Sequence, residues 1–105
     1  MITCMRVKPG EVDSLRDWMA ELMVRRDEVQ ETFKQETTRH EIAILLDGKD
    51  GPVLVYGMEA EDFEVGRAAY LASQLPIDLQ HRHIMSRVLD GPADVEQLMN
   101  ISAST

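Results

Sequence analysis

Aromatic residues are scarce in this chain: two Phe, two Tyr and one Trp make up 5% of its 105 residues. A chain of this length has room for one core. That core has to be aliphatic, with seven Met as adaptable filler. Only one cysteine is present, Cys4, so an internal disulfide is excluded and a reducing, cytoplasmic setting is expected. No catalytic signature surrounds it, and it fits a small apolar residue in a strand. No apolar run approaches the roughly 20 residues of a membrane span. Met1 to Lys8 has no basic head leading into an apolar core, so no secretion signal is expected. Positive charge is also short, with 11 basic against 19 acidic residues and a net charge of -8. Such a surface repels phosphate backbones and anionic lipid, so neither nucleic acid nor membrane is expected as a partner. Glycine-rich phosphate loops, a G-x-S-x-G elbow and recognisable Cys-His pairings are missing too, so no cofactor is implied.

What is present falls into short periodic segments. Ile2 to Val7 has the makings of a strand, closed by Lys8-Pro9-Gly10. Pro9 and Gly10 open a helix whose first turn carries Glu11 and Asp13, the favourable sign for a helix N-terminus. Val12, Leu15, Met19 and Leu22 fall on one stripe with Trp18 at its flank, and Val29 and Phe33 continue it. Arg26 lands inside that stripe. A charge there must snorkel, pair or mark a break. A break near Arg25-Arg26 is expected, with Asp27 and Gln30 as a fresh capping box. The functional alternative makes Arg26 an anion clamp at a pocket rim.

His40 to Leu46 is the clearest strand, and Val53 to Met58 returns beside it across Asp47 to Pro52, a hairpin with a long loop. That loop resembles a calcium loop only in outline. Its acids stand at the first and fourth positions, and Met58 holds the twelfth place, which needs Glu. Calcium is rejected. Glu59, Glu61, Asp62 and Glu64 suit a solvated turn and the first turn of a helix. That helix is expected from Phe63 to Leu75, with Val65, Ala68, Leu71, Ala72 and Leu75 on its packed face. Pro76 ends it, Asp78 begins another, and Asp90-Gly91-Pro92 stops that one. Val95 to Ile101 suits helix or strand, and Ser102 to Thr105 should fray.

With the tail counted as a strand, the order is the split β-α-β-β-α-β of an α+β, ferredoxin-like domain over residues 1–101. Helices would then cover one face of a four-stranded antiparallel sheet, and in a monomer the other face should be polar. It is not. Ile42, Ile44 and Leu46 point one way and Ala43 and Leu45 the other; Val53 and Val55 oppose Leu54, Tyr56 and Met58. A second copy packed sheet against sheet is the economical cover. A homodimer burying on the order of 800 Å² per partner is expected.

The Lys8-Pro9-Gly10 helix opening, Trp18, the central hairpin, and Asp78-Leu79-Gln80-His81 leading into Ile84-Met85 and Leu89-Asp90 together resemble the DUF6176 family. That is a group of small uncharacterised proteins similar to the dimeric α/β-barrel superfamily. Its members tend to carry aromatic residues after the His, where this chain has Ile84 and Met85. The resemblance implies a final strand near Val95 to Ile101 and no established activity. The superfamily it points to includes cofactor-free monooxygenases, haem-degrading proteins and small isomerases, which use one His, Tyr, Trp or acid in a pocket on a dimeric sheet. Trp18, Tyr56, His40 and His81 are the residues here that could play such parts.

The densest chemistry lies between Pro76 and Asp90, which holds His81 and His83. On a strand that pair would face one way and could chelate a metal. On a helix, residues two apart diverge by about 200°, so no metal site is expected. His40 and Glu41 likewise fall on opposite sides of a strand. Helical spacing puts His81 on the stripe of Ile84, Met85 and Val88, with His83 toward solvent. With Asp78 as N-cap, His81 would sit in the first turn, where the positive helix end disfavours imidazolium. Either Asp78 caps the helix and His81 is a hydrogen-bonded residue at the core's edge, or His81 enters a pocket between sheet and helices. There it would be a general base or ligand-orienting group. The expected function is binding of a small apolar or aromatic molecule in that pocket. A cofactor-independent monooxygenase- or isomerase-like enzyme and a structural interaction module are the alternatives. His81 and Tyr56 are the catalytic candidates; Trp18, Arg26, His40 and Asp78 are the ligand-binding ones.

Overall fold

The computed structural model of the protein describes residues 1–104. In chain order it contains β1 (Ile2–Val7), a 3-10 turn (Pro9–Glu11), α1 (Val12–Val24), α2 (Arg26–Glu36), β2 (Thr38–Gly48) and β3 (Gly51–Ala60), followed by α3 (Phe63–Ala72), α4 (Pro76–Val88) and β4 (Leu89–Pro92). This is a mixed α+β fold with an open, antiparallel four-stranded sheet in the order β2-β3-β1-β4. Val7, Leu15, Leu54 and Val88 form the centre of the core, and Val12, Met19, Leu45, Tyr56, Ile84, Met85 and Leu89 pack around them.

The expected break falls at Arg25, whose backbone (φ -94, ψ 35) leaves the helical region between α1 and α2. Arg25 is half-buried and binds Glu28 and the Gln80 side chain, so the break also ties α2 to α4. The Asp27 capping box does not form: Arg25 is the N-cap residue of α2, with no side-chain cap. At its other end α2 stops on Thr37 in the left-handed region (φ 57). The Thr37 hydroxyl donates to Asp62 O and accepts from Asp62 N, both at 3.0 Å, which holds this strained residue in place. Asp62 in turn caps α3, accepting from Glu64 N and Val65 N, so the acidic cluster is a helix start.

Other expectations change as well, and α3 ends at Ala72 rather than Leu75. The hairpin loop is tight, because Asp47↔Pro52 and Gly48↔Gly51 are paired and only Lys49-Asp50 turns between them. The packed face of α3 carries Gly66 rather than Val65, Ala68, Leu71 and Ala72, which are exposed. A Cβ on Gly66 would lie 2.4 Å from Glu36 O, so α3 crosses the end of α2 at van der Waals distance through a glycine. Asp78 is not the N-cap of α4; Leu75 is, with Pro76 at the start of the helix, and Asp78 N and Leu79 N donate to Leu75 O. The last strand is Leu89–Pro92 and not Val95 to Ile101. Lys8 N donates to Val88 O and Ala93 N to Cys4 O, so the edge of β1 imposes extension on a segment that reads as a helix stop. Residues 93–104 carry no regular element. Thr105, the last residue expected to fray, lies outside the described residues.

One sheet face carries the helices. On the other, Ile2, Ile42, Ile44 and Leu46 each leave half or more of their surface exposed, and the pairs Ile44↔Val55 and Leu46↔Val53 run along it. Cys4, partly exposed, belongs to the same face by alternation. The helical elements are short, and none is long and apolar enough to cross a membrane among the described residues.

Candidate functional site

Between the sheet and the helices lies a cavity of about 430 Å³ that opens to solvent. Its apolar wall includes Met5, Met58, Met85, Phe33 and Phe63. The aliphatic core that a chain poor in aromatics must build is thus left incomplete at this point. Into the same cavity come Glu36 from the end of α2, Glu41 and Thr38 from β2, Tyr56 from β3, Tyr70 from α3, and Asp78 and His81 from α4.

His81 is set by three helices. Trp18 Nε1 of α1 donates to His81 Nδ1 at 2.9 Å. Tyr70 of α3 meets the imidazole edge-on at 6.1 Å between ring centroids. Arg82, the next residue of α4, donates to Tyr70 O at 2.5 Å and Ser73 O at 2.8 Å and lies 5.4 Å from the Tyr70 ring, which anchors α4 to the end of α3. An indole N–H is a donor only, so Nδ1 is the accepting nitrogen and the neutral ring carries its proton on Nε2. Desolvation holds His81 below its ordinary value against the pull of Asp78, so the ring is neutral at pH 7. His81 lies in the second turn of α4, beyond the four free N–H groups of the helix start; burial, and not the helix end, keeps it uncharged.

The acids are the part of the site that pattern reading passes over. Burial pushes the Glu36 carboxyl up to about 7, outweighing the nearby Thr32 hydroxyl, and the charges of Asp78 and Glu41 add to the rise. Glu41 is raised by burial as well, though Tyr56 Oη donates to it at 3.0 Å. Burial and the Glu41 charge raise the Tyr56 phenol far above its usual range, and burial takes Tyr70 up to about 12. Asp78 is 6% exposed, and its Oδ2 has no hydrogen-bond partner among the described residues; Thr38 Oγ1 is in the same state. A signal for these acids exists in the sequence: Glu36 extends the Val29-Phe33 stripe, and Glu41 shares the inward face of β2 with Ala43 and Leu45.

The structure brings His81, Tyr56 and Asp78 together in the cavity wall. Trp18 stands behind His81 as its donor and is not part of the wall. Arg26 and His40 are exposed and do not line the cavity; the arginine that does is Arg67, itself exposed. His83 is exposed, as its place on α4 dictates. No group of three His, Cys, Asp or Glu residues among those described could hold a metal ion. The sequence matches the family model described as "Family of unknown function (DUF6176)" over residues 1–103. No curated protein and no solved structure matches it.

Proposed function

We propose that this chain, which belongs to the DUF6176 family, binds a small molecule between its sheet and helices and works as a homodimer of ferredoxin-like subunits. The observation that carries the binding reading is the cavity of about 430 Å³. It is within the usual ligand-pocket range of about 300–1,000 Å³ and combines apolar walls with a few polar groups. In this reading His81 offers its Nε2–H to the ligand, Asp78 and Tyr56 orient it, and Trp18 acts through His81. The strand order β2-β3-β1-β4 supports the ferredoxin-like arrangement.

The uncovered apolar face supports the dimer. The four strands are 6, 11, 10 and 4 residues long, which at about 3.4 Å per residue and about 4.8 Å between strands gives a face of roughly 500 Å². That is about the 500 Å² per partner that a specific interface has to clear, short of the about 800 Å² of a standard one. Light scattering should give twice the chain mass at micromolar concentration, and Ile44→Lys should give a folded monomer. A monomeric parent protein overturns the dimer.

Binding is tested by thermal shift with a panel of apolar and aromatic small molecules. At about 100 times its dissociation constant a ligand stabilises by roughly 2.7 kcal/mol. Ala60→Leu, which intrudes on the cavity from β3, should remove the shift. A blank panel favours the interaction module without a ligand.

A second reading, an enzyme moving a proton on its ligand, is favoured by one observation. A neutral His81 that donates from Nε2 and a Glu36 that titrates near neutral pH share one cavity. In that case Glu36 is the base and His81 the donor, because Trp18 occupies the accepting nitrogen of the imidazole. Exchange of an acidic ligand proton with solvent deuterium, lost in Glu36→Gln, tests it.

A further inference from the structure

We infer that the ligand of this cavity is an organic cation, an amine or amidine with several N–H donors on its head and an apolar body. The inference deepens the pocket-binding reading and rests on it. Three carboxyl groups, Glu36, Glu41 and Asp78, reach one cavity from α2, β2 and α4. None of them takes part in an ion pair among the described residues, where the bridges join other acids to Arg6, Arg16, Arg25, Lys34 and Arg87. Among the described residues of the cavity wall, the basic groups are Arg67, which is exposed, the Met1 ammonium, which is exposed and donates to Met58 O at 2.8 Å, and His81, which is neutral. Glu36 and Asp78 are 8% and 6% exposed, and Asp78 Oδ2 has no hydrogen-bond partner among the described residues.

Unpaired buried acid has two remedies, a proton or an opposite charge. An anionic ligand would add repulsion to a site already rich in carboxylates. A wholly apolar one would leave Asp78 Oδ2 and Thr38 Oγ1 without partners in a drier cavity. A metal ion needs its oxygens converging within about 2.6 Å of one point, and these acids do not converge on a site that could hold one. An organic head with separate N–H donors reaches carboxyls that stand apart, and ammonium or amidinium offers donors and no acceptors. The Met and Phe side chains of the wall take the apolar body.

The test uses the full chain and matched sets of three ligands. Each set shares a phenyl, indole or cyclohexyl body and differs in its head: amine or amidine, hydroxyl, carboxylate. Affinities are read by calorimetry and ligand-detected nuclear magnetic resonance at pH 7.5. Within each set the cation should bind at least tenfold more tightly than the alcohol, with the carboxylate weakest. Glu41→Gln and Asp78→Asn should each weaken the cation about tenfold and the alcohol by much less. An alcohol or carboxylate that binds as tightly as the cation overturns the cation and leaves the pocket standing. So does a cation indifferent to both folded variants. If a variant fails to fold, the head-group comparison on the unsubstituted chain decides. No binding by any head in any set overturns the pocket and the cation together.

Discussion

Replacing Glu36 with Gln should stabilise the protein by an amount that grows with pH. In the unfolded chain the carboxyl titrates near 4.5, and in the folded chain burial holds it near 7. Below the lower value both states are protonated, and the substitution changes little. Between the two, the unfolded chain releases the proton that the folded chain keeps, so stability falls as pH rises. Above 7 the loss is complete. The gap of about 2.5 units, at 1.36 kcal/mol per unit, gives roughly 3 kcal/mol. The cavity opens to solvent, which screens the group and brings the expected gain to about 1–2 kcal/mol. Gln keeps the shape of the side chain and cannot ionise. Asp78, Glu41, Tyr56 and Tyr70 still face the position, so a residual pH slope from Glu41 remains. Urea unfolding at one protein concentration and at pH 5, 6, 7 and 8 measures the effect. The difference should be smallest at pH 5 and largest at pH 8, with the variant ahead. A difference that does not change with pH, or a variant weaker at pH 8, refutes the claim that Glu36 is held protonated by burial.

Two further substitutions test the frame of the site. Gly66→Ala should destabilise by about 1–3 kcal/mol, since the new Cβ meets Glu36 O at 2.4 Å; helix propensity alone predicts a gain of up to about 1 kcal/mol, so the sign of the change in thermal unfolding decides. His81→Leu leaves the Trp18 N–H without its acceptor and should cost about 1–3 kcal/mol, whereas His81→Gln, which keeps an acceptor, should cost less; equal stability of the parent and both variants in denaturant would mean that the Trp18 bond contributes nothing.

The elements that pattern reading placed well are those whose signals are local. β1 begins and ends where expected because Lys8-Pro9-Gly10 follows an apolar run directly. The α1–α2 break announces itself as an arginine inside an apolar stripe, although the half-buried residue at the break is Arg25. β4 was hidden because Asp90-Gly91-Pro92 carries helix-stop residues, and only the free edge of β1 makes that segment a strand. The packed face of α3 was hidden for a related reason. Val65, Ala68 and Leu71 are the more apolar set, yet only the face carrying Gly66 lets α3 approach the backbone of Glu36.

The site divides along the same line. Sequence by itself determined that His81 shares a helical stripe with Ile84, Met85 and Val88 and that His83 diverges from it, since both follow from 3.6 residues per turn. It also determined that both faces of the hairpin are apolar, since alternation along a strand has a period of two. Tertiary structure alone decided which nitrogen of His81 carries the proton, because the deciding donor is Trp18, 63 residues away in the chain. It alone decided that Glu36, Glu41 and Asp78 meet in one cavity, since each belongs to a different element. The raised proton affinity of Glu36 and Glu41 comes from removal of water. Desolvation depends on what surrounds a group in space, and no spacing along the chain encodes it.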